Sequence, residues 1–234
     1  MNTHSRPVPL LLTALVAFFA ALAALAVSGG MNMASAHAPA ATSQSSILLS
    51  QKSLALHDGM RKLWEDHITW TRLAIIGLED GTPDANAAVA RLLRNQADIG
   101  NAIQPYYGTK SGNAMTKELR QHILIAADVI AAAKAGDKAK LADAQQRWTA
   151  NANDIAALLH SVNPGHWSTA TLRDEMHTHL QLTTAEAVAH LQQRWQADVA
   201  AYDRVHLHIL HMSDLLSNGI VEQFPDRFRV AASS

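Results

Sequence analysis

From Ser53 onward the apolar residues recur at steps of three and four, and the alternation that marks a half-buried strand is absent. That period puts apolar side chains on one stripe of a helix, and such a stripe must be buried against other helices. There is no cysteine in the 234 residues, so neither a disulfide framework nor a thiolate-held metal can stand in for a packed core. The chain is therefore all-α and relies on helix packing.

Turn and cap residues divide this periodic region. A first helix is predicted from about Ser53 to Leu78, ending at "EDGTP", where Thr82 is a suitable N-cap and Pro83 a suitable first helical residue for the next. The second stops at Gln104, before Pro105 in "QPYYG". A third follows "KSGN" and ends at Gly136, with Asp137 capping the fourth. Four helices joined by short turns make an antiparallel up-down four-helix bundle over residues 53–160. "SVNPGHWS" then breaks the pattern. A short fifth helix is expected from about Thr169 to Leu182, and "TTAE" resembles a capping box opening a long C-terminal helix that packs on the bundle. These last two helices occupy residues 161–228, leaving a tail at 229–234.

The N-terminus reads as an export signal. Arg6 precedes the apolar run Leu10 to Val27, and "ASA" at Ala34 to Ala36 offers the small residues a signal peptidase reads. Residues 1–36 are thus a signal peptide or, if uncleaved, a signal anchor tying the chain to the cytoplasmic membrane. Either way the domain is exported, to the periplasm or beyond, after a flexible tether at 37–52. The charge balance, 19 basic against 20 acidic residues, provides no footprint for nucleic acid.

Histidines fall repeatedly on the apolar stripes. Helix one carries Met60, Trp64, His67, Thr71; helix three carries Met115, Leu119, His122, Ala126; the last helix carries Trp195, Val199, Tyr202, His206, Ile209. His179 has a similar setting between Met176 and Leu182. Counted from the helix ends, His67 and His122 differ by only about 3 Å in height. The same distances on the neighbouring helices reach "RNQAD", with Asn95, Gln96 and Asp98, and "TANAND", with Asn151 and Asp154. Two similar αα-hairpins would then form a pseudo-twofold polar layer of His67, Asn95, Asp98, His122, Asn151 and Asp154.

Imidazoles and carboxylates converging from several helices are how bundles build metal sites. On this reading His67 and His122 ligate a divalent transition metal, zinc or copper, with Asp98 and Asp154 orienting them and His206 joining if the last helix lies alongside. The layer could instead bind a small organic ligand, or be a purely structural set of hydrogen bonds that holds helix register. Trp64, Trp70, Trp148 and Trp195 are read as core and interface residues. "HLHILH" puts His208 and His211 on one turn as a surface metal clip. The Glu-x-x-His signature of di-iron bundles, GxSxG turns and phosphate-cradling glycine loops are all missing from the sequence, so no catalytic residues are assigned.

The segments "LWEDHITWTRL", "NQADIGNAIQPYYG", "LRQHILIAADVI" and "YDRVHLHILHMSDLLSNGIVEQFPDRF" together resemble a group of uncharacterised bacterial helical proteins, some bearing transferase-type names. The resemblance implies a shared fold and carries over no functional residues. The expectation is an exported helical bundle that binds a metal or small ligand at its polar layer. The alternative is a cell-surface scaffold that captures a protein partner through its long final helix.

Overall fold

The Ser50 hydroxyl accepts the Ser53 backbone N–H at 3.2 Å, a helix cap that starts α1 at Gln51. A computed structural model describes residues 50–229; the segment read as an export signal, most of the expected tether and the end of the expected tail lie outside the described residues. The helices are α1 (Gln51–Asp80), α2 (Ala85–Ala135), α3 (Lys138–Val162), α4 (Thr169–Leu191), α5 (Trp195–Gln223) and a single turn, α6 (Pro225–Phe228). No strand occurs among the described residues. None of these helices is long and apolar enough to cross a membrane.

The span of α2 conceals a reversal. Gly108 sits at φ 80°, ψ 163°, a backbone conformation that residues with a Cβ avoid, and splits α2 into arms 85–107 and 109–135. The helix runs past the expected stop before Pro105, because the ring removes one N–H without forbidding helical φ and the glycine three residues later makes the break. The two arms lie antiparallel: Arg120 donates to the Leu93 carbonyl at 2.9 Å, and Leu92 packs with Ile123. Near the reversal their backbones touch, since a Cβ on Gly100 would fall 2.5 Å from the Gly112 carbonyl, and one on Gly112 2.5 Å from the Gly100 carbonyl.

The remaining neighbours also pair antiparallel. α1 meets the first arm through His67 and Gln96; the second arm meets α3 through His122 and Asn151; α4 meets α5 through Glu175 and His208. His177 of α4 bonds Asn153 of α3, and Arg61 of α1 bonds Asp214 of α5. Counting the arms of α2 separately, six long helices thus follow one another round a shared core, with α5 returning to α1. The all-helical bundle expected from the periodicity is present. The last two helices close it rather than being added to a finished four-helix unit.

A second boundary is corrected. Thr183 and Glu186 do not open a new helix; α4 continues to Leu191, and the turn falls at Gln192–Arg194. Gln193 takes φ 57° while Arg194 N–H reaches the Ala189 carbonyl at 2.9 Å and Gln193 N–H the His190 carbonyl at 2.8 Å. This is the left-handed helix ending normally marked by glycine or asparagine. Without either residue the turn carries no sequence signal, and α4 and α5 come out at 23 and 29 residues rather than one short and one very long helix.

Besides the Thr116 and Gln104 side chains, a Cβ at Gly100 or Gly112 would meet the opposite arm's backbone carbonyl, which no rotamer change relieves. Gly100→Ala is expected to lower stability by about 1–3 kcal/mol despite alanine's better helix propensity, measured by denaturant unfolding. An unchanged midpoint would mean the arms are not in backbone contact.

Candidate functional site

Three hairpins repeat one local pattern. They are α1 with the first arm of α2, the second arm with α3, and α4 with α5. Each first helix carries an interior histidine, His67, His122 or His179, at intervals of 55 and 57 residues. Buried residues stand seven and three positions before each: Met60 and Trp64, Met115 and Leu119, Leu172 and Met176. Each second helix sends one polar side chain back to the carbonyl four residues before that histidine. Asn95 donates to Leu63 at 2.9 Å, Asn151 to Glu118 at 3.2 Å, and His208 to Glu175 at 3.1 Å. The repeat expected as twofold therefore has a third member, in which histidine replaces asparagine.

The pattern brings the imidazoles together. The ring centre of His179 lies 5.9 Å from that of His67, 5.9 Å from His122 and 6.2 Å from His208. Trp64 flanks His67, and Trp148 flanks His122, so most of the surroundings are apolar. His67, His122 and His179 are all buried. Burial, with the neighbouring His122 adding to it, pushes His67 down to about 3, and burial takes His122 down to about 4. It also holds His179 well below its ordinary value, helped by the other three imidazoles. The cluster is neutral at ordinary pH because charge has nowhere to be solvated.

Amides set the ring tautomers. Asn151 donates to the Glu118 carbonyl, which turns its Oδ1 toward His122; at 2.9 Å that oxygen accepts Nδ1–H, leaving Nε2 bare. Gln96 donates to the Leu92 carbonyl at 2.8 Å and turns its other N–H between Asn95 Oδ1 and His67 Nδ1, both at 3.2 Å, an arrangement that fits a His67 proton on Nε2. The Gln96 Oε1 and the His179 Nδ1 are buried without a partner.

The aspartates expected to join this layer do not. Asp98 and Asp154 are exposed, each two residues and so about 200° round its helix from an inward residue, Gln96 or Ala152. Asp154 lines an open outer groove of about 480 Å³ with Leu124, Asp128 and Arg147. His206 also faces outward, 3.2 Å from Glu65, because the buried face of α5 runs through Ala201, Val205, Ile209 and Met212. Trp195 and Val199 are about half exposed, so the first part of that stripe lies off the buried face, His206 being one residue, about 100°, from the inward Val205, while Ile209 is buried as expected. Gln96 and Asn151 hold the positions meant for the aspartates. Among the described residues no three His, Asp or Glu side chains stand closed around one point as metal ligands do.

A second polar centre was not foreseen. Arg72 grips Asp198 with both terminal nitrogens, at 2.8 and 3.0 Å, and Glu186 at 2.7 Å, while its guanidinium covers the Tyr202 ring. His190 Nδ1 stands 3.1 Å from the same Asp198. Burial raises Glu186 to about 7 and Glu79 to about 8; in Glu79 the nearby Asp80, Asp198 and Glu186 add to the effect. Burial works against the Asp198 carboxylate too, but hydrogen bonds from Arg72 and His190 hold it below the usual range. Reading Glu186 as a capping residue hid this network.

No protein-family model matches the chain, and no curated protein or solved structure matches it significantly.

The two centres have opposite proton linkage. Below pH 6.5 the unfolded chain protonates His67, His122 and His179 while the folded one does not, so their contribution is complete above pH 6.5 and is lost as pH falls toward 4 and 3. Each such histidine steepens the loss by up to about 1.4 kcal/mol per pH unit. His179→Leu, which removes an imidazole with an unpartnered nitrogen, is expected to flatten the decline of melting temperature between pH 6.5 and 4.5. Glu79 and Glu186 act the other way: the folded state holds their protons, so their contribution is full below about 4.5 and fades as pH rises through 7 and 8. Glu79→Gln should accordingly stabilise the protein at pH 9 more than at pH 5, and equal effects at both would contradict a raised Glu79.

Proposed function

We propose that the chain is an exported helical-bundle protein that binds a divalent transition-metal ion, zinc or copper, through His67, His122 and His179. The observation that carries this reading is the meeting of three neutral imidazoles, one from each repeated hairpin, in a largely apolar interior. Neutral imidazole is the form that ligates these metals. His122 already has the arrangement of a supported ligand, with Nδ1–H held by Asn151 and Nε2 free to bind. The orienting role first given to Asp98 and Asp154 passes to Asn151 and Gln96. For His67 to present a bare Nε2, its Nδ1 must take the proton and Gln96 must turn its unpartnered Oε1 toward it. His67, His122 and His179 would then each offer the ion one imidazole nitrogen.

A second reading has its own support. His67 and His122 each already meet an amide of the neighbouring helix at Nδ1, Gln96 and Asn151, as a structural layer that holds helix register requires. Function then lies on the outer surface, where Trp195 and Val199 expose apolar area on α5, and the protein is a cell-surface interaction module.

Titration calorimetry of metal-stripped protein with zinc and copper separates the two. Metal binding in the interior predicts a stoichiometric equivalent that raises the melting temperature and disappears in a His67→Gln, His122→Gln double variant verified as folded by circular dichroism. Unaltered binding in that variant, or no binding to the parent protein, sinks the interior site and leaves the structural layer.

A further inference from the structure

Further imidazoles lie outward from the interior cluster along α4 and α5. His208 and His211 lie one turn apart on α5 and face Glu175 of α4. His208 Nε2 stands 3.1 Å from the Glu175 backbone carbonyl, an oxygen that can only accept, so Nε2 carries the proton. In the neutral ring Nδ1 then has a bare lone pair. That nitrogen faces the Glu175 carboxylate Oε2 at 3.7 Å, and the other carboxylate oxygen, Oε1, is 3.3 Å from His211 Nε2. Two acceptors thus point at each other across a gap too wide for a hydrogen bond.

We infer that Glu175, His208 and His211 form a second, surface-opening site for a divalent transition-metal ion such as zinc. An ion about 2.1 Å from both His208 Nδ1 and Glu175 Oε2 spans a 3.7 Å gap at an angle of about 120°, within the range of tetrahedral and five-coordinate zinc. The ligand set of two histidines and one glutamate leaves a coordination position for water. His211, with its side chain 64% exposed, swings onto the ion from solvent, which is why the three groups are not already closed around one point. The His208 side chain is only 11% exposed and lies against the interior cluster, its ring 6.2 Å from that of His179, which fixes it in place as a ligand. This site rests on its own geometry and stands whether or not the interior layer takes a metal.

Zinc titration of the purified, metal-stripped protein tests it, with cobalt substitution as a spectroscopic readout. A zinc equivalent is expected that weakens by about 10- to 100-fold or more in His211→Ala and in Glu175→Gln, and that survives in the His67→Gln, His122→Gln double variant. The metal-free melting temperature of His211→Ala should stay close to that of the parent, since the side chain is exposed. Cobalt should give the d–d absorption of a four- or five-coordinate site in the parent and lose it in His211→Ala. Zinc affinity and cobalt spectrum unchanged by both single substitutions, or no zinc bound by the parent, overturn the inference. Loss of zinc only in the double variant overturns it as well, while leaving the interior site standing.

Discussion

Each hairpin is cross-linked at mid-height by a side chain that donates to a backbone carbonyl on the opposite helix. The acceptors are Leu63, Glu118 and Glu175, and each already receives the N–H of the interior histidine four residues on, as helix geometry requires. The cross-link uses the second lone pair of that oxygen. A hydrogen bond of this kind has a narrow range of lengths and angles, so it fixes the register of two helices more tightly than aliphatic contacts do. Repeated three times, it sets His67, His122 and His179 at one level. The imidazole cluster is a consequence of that register.

Polar chemistry concentrated at one level has an energetic consequence. Four imidazoles packed together at about 6 Å cannot share charge, and the apolar flanks of Trp64 and Trp148 prevent water from compensating. The network of Arg72, Glu186, Asp198 and His190 with Glu79 nearby concentrates carboxylates instead, and so retains protons where the imidazole layer refuses them. The fold is thus held between two proton-linked centres with opposite sign. Its stability is greatest where the histidines are neutral and the buried glutamates are still protonated.

Much of the architecture could be read from the chain. The three-and-four step identified every long helix region, Gly136 and Asp137 marked a real boundary, and Asp137 caps α3 by accepting the Lys140 N–H at 3.0 Å. His67 and His122 at equal height with Asn95 and Asn151 opposite followed from counting along helices of constant rise. The rest depended on angles that a count cannot resolve. Asp98 and Asp154 belong to the right turn and the wrong side of it, and His206 differs from the inward Val205 by one step of about 100°. Gln193 turns the chain without glycine, so the end of α4 left no mark and the third hairpin was not recognised as a repeat of the first two.

By itself the sequence determined the helical class, the lack of covalent staples, and the spacing that brings a histidine to the same height in successive hairpins. These follow from local rules: periodicity, cap chemistry and a constant rise per residue. Tertiary structure decided which face of each helix turned inward, where the α4 to α5 turn fell, and which groups met. Arg72 finds Glu186 and Asp198 more than a hundred positions away, and His179 finds three imidazoles from three other helical segments. Those encounters depend on helix rotation and on the order of helices around the core, quantities set by packing across the whole bundle.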